Sequence, residues 1–522
     1  MITKINKCNF YNEKATSKYS LALFLGFLAF VLTIAGAAEK IAADEKPIWL
    51  VVTRPIFTET IKTLQEKRNK DGFETVISTQ SVAEAIAALK RQPAFLLLVG
   101  DEQLGQEKQP WYLPSKKCKF YRWRESQEEY FASDTLWGDI NGDLVPDIPV
   151  GRIPVRTTEQ LKLVIDKIIA FEDRPPTLDD LRMPIWAGTS GYNQMLDSMT
   201  TLLLLGVIEK YTSPWLSPWI ISSDPKHSLC GWPPDQAATF VKQLKQGCGP
   251  IVTMMGHSAT TYFYSMSFNN TGIVFSAADA KKALAAGKPA PPLVIISCST
   301  GNFTSEQECL TKSLLFMPAG PVAAIGATTE SHPLTNYFSG LCLLQQVGLK
   351  EKLLGKIWLE SQINAMKSHD IFMEPLLINV EGKLEEKMNE SALRRDQILM
   401  YALLGDPATK LHLPDKLEAT VKRVDNGWQW EAQKPKGALK LFAGFRPAGQ
   451  NFPLVTGNPD KTTATKLFEQ ANAIFEFTSI NEINANQAWK GQINKEGILR
   501  LVAVGQNCFY VSTFELKART EN

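Results

Sequence analysis

Ile251 to Ser258 (IVTMMGHS) and Leu293 to Phe303 (LVIISCSTGNF) are two short apolar runs, rich in β-branched residues, that each end at a reactive side chain. Runs of this length, bounded by small and polar residues, suit central strands of an open parallel sheet. Such sheets bind ligands beyond the carboxyl ends of their strands. His257 and Cys298 therefore stand where chemistry is usually done. An imidazole near a thiol favours the thiolate or supplies a proton to a leaving group. Of the five histidines (His227, His257, His332, His369, His412), only His257 follows such a run directly. A lone histidine or cysteine is more often a packing residue. The two together, at strand ends and in that order, give the catalytic reading equal weight.

Outward from this pair the same texture continues. Ile48 to Thr53, Thr75 to Ile77, Phe95 to Val99, Met183 to Ala187 and Val322 to Gly326 read as strands. Phe57 to Arg68, Val82 to Lys90, Glu159 to Asp173 and Gln194 to Tyr211 read as helices between them. Alternation of this kind predicts parallel sheets with crossover helices. Pro175-Pro176 marks a subdomain boundary. From about Leu413 the helical period fades. Ala419 to Val424 and Trp428 to Ala432 form a hairpin on Asp425-Asn426-Gly427, and strands are expected at Leu439 to Gly444, Ile474 to Thr478, Ile498 to Gly505 and Cys508 to Leu516. That pattern predicts a β-sandwich of the immunoglobulin-like kind.

At 522 residues the chain needs several cores. The expected division is a signal peptide over 1–37, an N-terminal α/β subdomain over 38–180, a catalytic α/β subdomain over 181–413 and a β-sandwich over 414–522. Leu21 to Ile34 is an apolar run behind four lysines, and Ala35-Gly36-Ala37 offers small residues for cleavage. The rival reading of this run is an uncleaved anchor. Export to the periplasm, cell surface or medium is the expectation, with no membrane contact after cleavage. Lys4, Lys7, Lys14 and Lys18 against Glu13 give this segment +3, so a formal charge of +2 leaves the remainder at −1. Nothing there calls for a nucleic-acid partner. Removing Cys8 leaves seven cysteines, an odd number, so at least one thiol stays unpaired in an oxidising compartment.

The spacing of glycine–histidine and cysteine, 41 positions apart, resembles the caspase-like peptidases and, among them, the gingipain family. Phe95 to Asp101 (FLLLVGD), Gly138 to Pro154 (GDINGDLVPDIPVGRIP), Cys298 to Phe303, Gly320 to Thr328 (GPVAAIGAT) and Leu404 to Pro407 (LGDP) are similar to family blocks, in family order. The resemblance covers about 47–413. It implies a caspase-like fold and an exported cysteine endopeptidase acting on polypeptides. Cys298 would be the nucleophile, His257 the proton donor, and the backbone N–H groups of Ser258 and Cys298 the oxyanion hole. Ser258 departs from the family's glycine, which would put a side chain beside the cleft, and Ser297 departs from a frequent alanine. The family's histidine-orienting acid has no match before Asp197. Asp197 is also the nearest carboxylate for a basic side chain of the substrate, and Tyr262 would line an apolar pocket instead.

Asp139, Asn141, Asp143 and Asp147 form an oxygen-rich turn suited to a structural calcium ion, although the glycine position is not that of an EF-hand. No cofactor is needed for the chemistry. Two rivals follow from the same residues: a transpeptidase that passes the acyl group to an amine, and an inactive relative serving as a binding module.

Overall fold

In the computed structural model, which describes residues 45–119, 130–189, 204–378 and 390–517, ten strands form one sheet. In chain order the strands of the α/β part are β1 Ile48–Thr53, β2 Glu74–Ser78, β3 Phe95–Val99, β4 Lys116–Lys119, β5 Tyr130–Ser133, β6 Val150–Ile153, β7 Arg182–Ala187, β8 Ser217–Ser222, β9 Val252–Met255, β10 His257–Ala259, β11 Tyr262–Phe268, β12 Thr271–Ser276, β13 Leu293–Ile296, β14 Ala324–Ala327 and β15 Tyr401–Leu404. The sheet order is β2-β1-β3-β6-β15-β14-β13-β9-β7-β8. Every neighbouring pair is parallel except β14 with β15. The sheet is thus two parallel blocks of opposite direction joined at one antiparallel seam.

The central strands are buried on both faces, as their unbroken apolar runs require: Ile48–Thr53, Phe95–Val99 and Leu293–Ile296 have no exposed residue. Helices cover both faces. Ser81 opens Val82–Ala87 with a capping box to Glu84, and the Thr157 side chain accepts from Gln160 N–H at the start of Thr158–Asp173. The chain crosses between blocks more than a division at residue 180 suggests. β15 follows the second block in sequence yet runs parallel to β6 and completes the first. Just beyond it, the buried Asp406 carboxylate accepts from Trp49 Nε1 at 3.0 Å and Arg68 Nε at 2.8 Å, and Arg68 also holds Glu172 at 2.8 Å.

The C-terminal segment is a two-sheet β structure. Its strands are β16 Asp415–Lys416, β17 Ala419–Val424, β18 Gly427–Ala432, β19 Lys440–Pro447, β20 Thr478–Asn484, β21 Lys490–Ile493, β22 Gly497–Gly505 and β23 Cys508–Leu516. One sheet runs β16-β23-β22-β19-β20 and the other β17-β18-β21, and Trp430, Leu441, Leu499 and Leu501 share the core between them. The hairpin turn is Asp425-Asn426, with Gly427 (φ 118°) already paired in the strand. One expectation here needs correction. The strand expected at Ile474 to Thr478 begins only at Thr478, because a helix, Lys461–Ala473, precedes it. That helix docks on the α/β part: the Asn472 side chain accepts from Ile220 N–H at 2.7 Å and donates to Ile220 C=O at 3.1 Å, pairing the outer edge of β8. Arg500 donates to Trp215 C=O at 2.8 Å across the same interface.

The expected helix Val82 to Lys90 stops at Ala87. Of the helix expected over Gln194 to Tyr211, the described part is helical over 204–211. The signal segment, Cys8 and Asp197 lie outside the described residues. Among the described residues no helix is long and apolar enough to cross a membrane.

Candidate active site

β9 and β13 are neighbours with Met255 opposite Ile296, so His257 and Cys298 each stand two residues past the last paired position. Adjacent strands lie about 4.8 Å apart, and the chain shape beyond them keeps the two ends together. Gly256 N–H donates to Ile296 C=O at 3.4 Å. The Ser258 hydroxyl donates to the Cys298 carbonyl oxygen, and its oxygen lies 2.7 Å from Ser297 Oγ. Ser258, expected to put a side chain beside the cleft, is half-buried, and its hydroxyl ties the histidine segment to the cysteine segment. Ser297, the other departure from the family, is fully buried and is its partner.

A small antiparallel sheet, β10-β11-β12, grows directly from His257. His257 pairs with Tyr264, Ser258 with Phe263 and Ala259 with Tyr262. Paired residues share a face and neighbours alternate. Ser258 and buried Phe263 face inward, where Phe263 packs on Trp186 at 5.4 Å. His257, Tyr262 and Tyr264 share the outward face. Tyr262 is 40% exposed, so of the aromatic trio the middle ring builds core and the outer two flank the histidine.

Behind the cysteine the chain takes a sharp turn. Ser299 adopts φ 56°, a left-handed conformation that costs a non-glycine residue energy and recurs at functional sites. Its N–H donates to Thr329 C=O at 2.9 Å, and Gly301 N–H to Ala327 C=O at 2.8 Å. A Cβ on Gly301 would lie 2.1 Å from Gly326 C=O, so the glycines of CSTG and AIGAT are required by one close approach.

None of the seven described cysteines forms a disulfide. Six are buried; Cys298 is the one that is half-buried. Burial pushes the thiols of Cys118 and Cys230 up to about 12 and that of Cys248 up to about 11, and raises Cys309, Cys342 and Cys508 as well. Such thiols are unreactive near neutrality. The Cys298 sulfur instead receives the Ser331 backbone N–H at 3.4 Å. Neither the Ser331 contact nor the Ser299 turn was foreseen from sequence.

At the acidic turn, Asp139 accepts from the N–H groups of Gly142 (2.8 Å), Asp143 (3.2 Å) and Leu144 (3.1 Å). Asp147 accepts from Ile140 N–H at 2.9 Å and Asn141 N–H at 3.2 Å, and Asp143 from Val145 N–H at 2.8 Å. These carboxylates spend oxygens on the turn's own backbone. His369, Glu374 and Glu390 also cluster, but Arg394 already bridges the two carboxylates at 2.8 and 2.6 Å.

The sequence profile of peptidase family C25 matches residues 42–412. A solved structure described as a protease aligns with a TM-score of 0.52 at 14% identity, covering 90% of this chain and 97% of its own. The pro- and mature-domain complex of Porphyromonas gingivalis RgpB aligns at 0.49 with 14% identity, covering 90% and 100%. The crystal structure of gingipain R, an Arg-specific cysteine proteinase, gives 0.49 at 14% identity, covering 90% and 98%. No curated protein matches the chain.

Proposed function

The chain belongs to peptidase family C25 and is a cysteine peptidase, and on that premise we propose that it is an exported endopeptidase with Cys298 as nucleophile and His257 as proton donor. The observation that carries the assignment is the joint placement: the half-buried thiol stands on the strand end beside the histidine, while six other thiols are buried.

The sulfur of Cys298 attacks the scissile carbonyl carbon, and the electron pair of the C=O moves to oxygen. Backbone N–H groups of Ser258 and Cys298 receive that oxyanion, each contributing about 3–4 kcal/mol to the transition state. The C–N bond breaks as His257 delivers its proton to the departing amine. Water then attacks the thioester, His257 takes the water's proton, and the sulfur leaves as thiolate. Tyr262 and Tyr264, on the face they share with His257, would line the substrate's path.

Digestion of a peptide library by the purified chain tests the reading. Internal cleavage that vanishes in both Cys298→Ala and His257→Ala supports it. Cleavage retained in Cys298→Ala would remove it. The same digestion with an amine acceptor present separates hydrolysis from transpeptidation. Export is tested separately, by N-terminal sequencing of the protein from the cell exterior, with a new terminus expected after Ala37. A structural calcium at the turn is a separable proposal. It requires Asp139, Asp143 and Asp147 to converge on one ion, and is supported only by a calcium-dependent rise in Tm.

A further inference from the structure

Removing a proton from Cys298 leaves a sulfur that can only accept hydrogen bonds, and the described residues place two donors on the same neighbour. The Ser331 backbone N–H donates to Sγ at 3.4 Å, and its hydroxyl oxygen lies 3.8 Å from Sγ. The Ser331 carbonyl oxygen, at 3.7 Å, accepts from the thiol S–H. On ionisation that last contact loses its proton, while the N–H and O–H contacts strengthen. Ser331 directly precedes His332, the N-cap of the 14-residue helix Pro333–Gln346. The sulfur therefore also sits at the positive end of a helix dipole, which favours an anion.

The hydroxyl is aimed by a buried polar chain. Asn336 Nδ2 donates to Ser331 Oγ at 2.8 Å. Asn336 Oδ1 in turn accepts from Tyr401 O–H and from Gln397 Nε2, each at 3.0 Å. Gln397 also donates to Ser339 Oγ at 3.0 Å and accepts from the Thr335 hydroxyl at 2.8 Å. With Asn336 donating to the Ser331 oxygen, the Ser331 proton points elsewhere, towards the sulfur or the phenol oxygen of Tyr401. Ser331, Asn336, Gln397 and Tyr401 are all at most 9% exposed. A network this dry is costly unless fully satisfied, and packing alone would be served by apolar residues.

We propose that Ser331 is a second donor to the Cys298 thiolate, acting independently of His257, and that Asn336 is the positioning residue that aims its hydroxyl. This rests on the nucleophile assignment made above. Among the described residues, the titratable groups on the elements next to the sulfur are His257 beyond β9, Glu330 and His332 on either side of Ser331, and Tyr401 on β15. Burial pushes the His332 imidazole down to about 4 and raises the Tyr401 phenol, so both are neutral between pH 5 and 9.

The test is the pH profile of iodoacetamide alkylation at Cys298 in the full chain, read by mass spectrometry of the modified peptide. Ser331→Ala keeps the backbone donor and removes the hydroxyl. We expect it to slow alkylation at pH 6 by about threefold to tenfold and to move the midpoint up by roughly half a unit to one unit. The same fall is expected in a His257→Ala background. Asn336→Ala should reproduce the shift with Ser331 intact, and Ser331→Thr, which restores a hydroxyl, should reverse it. Asn336→Ala carries the decision if Ser331→Ala does not fold. A profile indifferent to both substitutions, in variants with wild-type Tm, overturns the proposal. If the wild type cuts no peptide yet shows the Ser331-dependent profile, the endopeptidase reading falls and this inference stands. If it cuts peptides with a profile indifferent to Ser331, the reverse holds.

Discussion

The two blocks of the ten-stranded sheet end very differently at their carboxyl edges. In the first block, β3 runs into Gly100-Asp101 and β6 carries Arg152, which is fully buried. Arg152 donates to the Asp134 carboxylate at 2.6 and 2.7 Å and to the carbonyls of Gly100 and Leu113, both at 2.8 Å. Asp101 is closed off by Lys312 at 2.6 Å and Arg156 at 2.5 Å. Asp101 and Arg152 there each face an opposite charge. In the second block, β9 and β13 run into His257 and Cys298, and a half-buried sulfur is left at the surface. One architecture thus yields a sealed end and an open one. The difference lies in whether charge is neutralised internally, as at Asp101 and Arg152, or a thiol is left half-buried.

Substitutions at the two ends should separate accordingly. Cys298→Ala should lower kcat/KM for peptide hydrolysis by about 10⁴-fold or more, with Tm unchanged; a substantial fall in Tm would mean the open end is also structural. Arg152→Met at the sealed end strands the Asp134 carboxylate and should cost about 3–5 kcal/mol of stability in denaturant unfolding. Activity per folded molecule should survive. If it does not, the two ends are coupled.

The open end also carries a pH liability. Burial lowers His332 from 6.5 to about 4. Between those values the unfolded chain holds the proton and the folded chain does not, so stability is lost as pH falls through that window. His332→Asn keeps an acceptor for Leu334 N–H, which His332 Nδ1 meets at 3.2 Å, and removes the titration. It should flatten the fall of Tm between pH 6.5 and 4; an unchanged slope would place the acid sensitivity elsewhere. A smaller effect belongs to Ser258→Gly, which restores the family's residue and releases the tie to Ser297 and Cys298. We expect about 1 kcal/mol of destabilisation and a threefold to tenfold loss in kcat/KM, roughly the same energy expressed as rate. A gain in activity would mean that the tie restrains the enzyme.

Much of this was legible in the sequence because buried parallel strands announce themselves. IWLVVT, FLLLV and LVII need no partner information to be recognised, and the His257–Cys298 pairing follows from where such runs end. The seam was not legible: Tyr401 to Leu404 is four residues long, without period, and its neighbours β6 and β14 are remote in sequence. The Lys461–Ala473 helix was missed because its threonine-rich sequence has a weak helical signal. Tyr262 to Phe268 (YFYSMSF) is hard to read as a strand, because three aromatics open it and a register shift between Tyr264 and Met266 leaves Ser265 and Met266 both buried. The tie made by Ser258 and the contacts of Ser331 depend on side-chain direction, which spacing does not encode.

The seam has a consequence for how the molecule is made. Trp49 and Asp406 are hydrogen-bonded partners 357 residues apart, and β6 waits for a neighbour that the ribosome supplies only at Tyr401 to Leu404. An emerging chain must therefore carry an unfinished sheet, with a bare strand edge open to aggregation, through the synthesis of the whole second block. Closing so long a loop carries an entropic cost that local pairings avoid, so this four-residue strand is expected to join the sheet late.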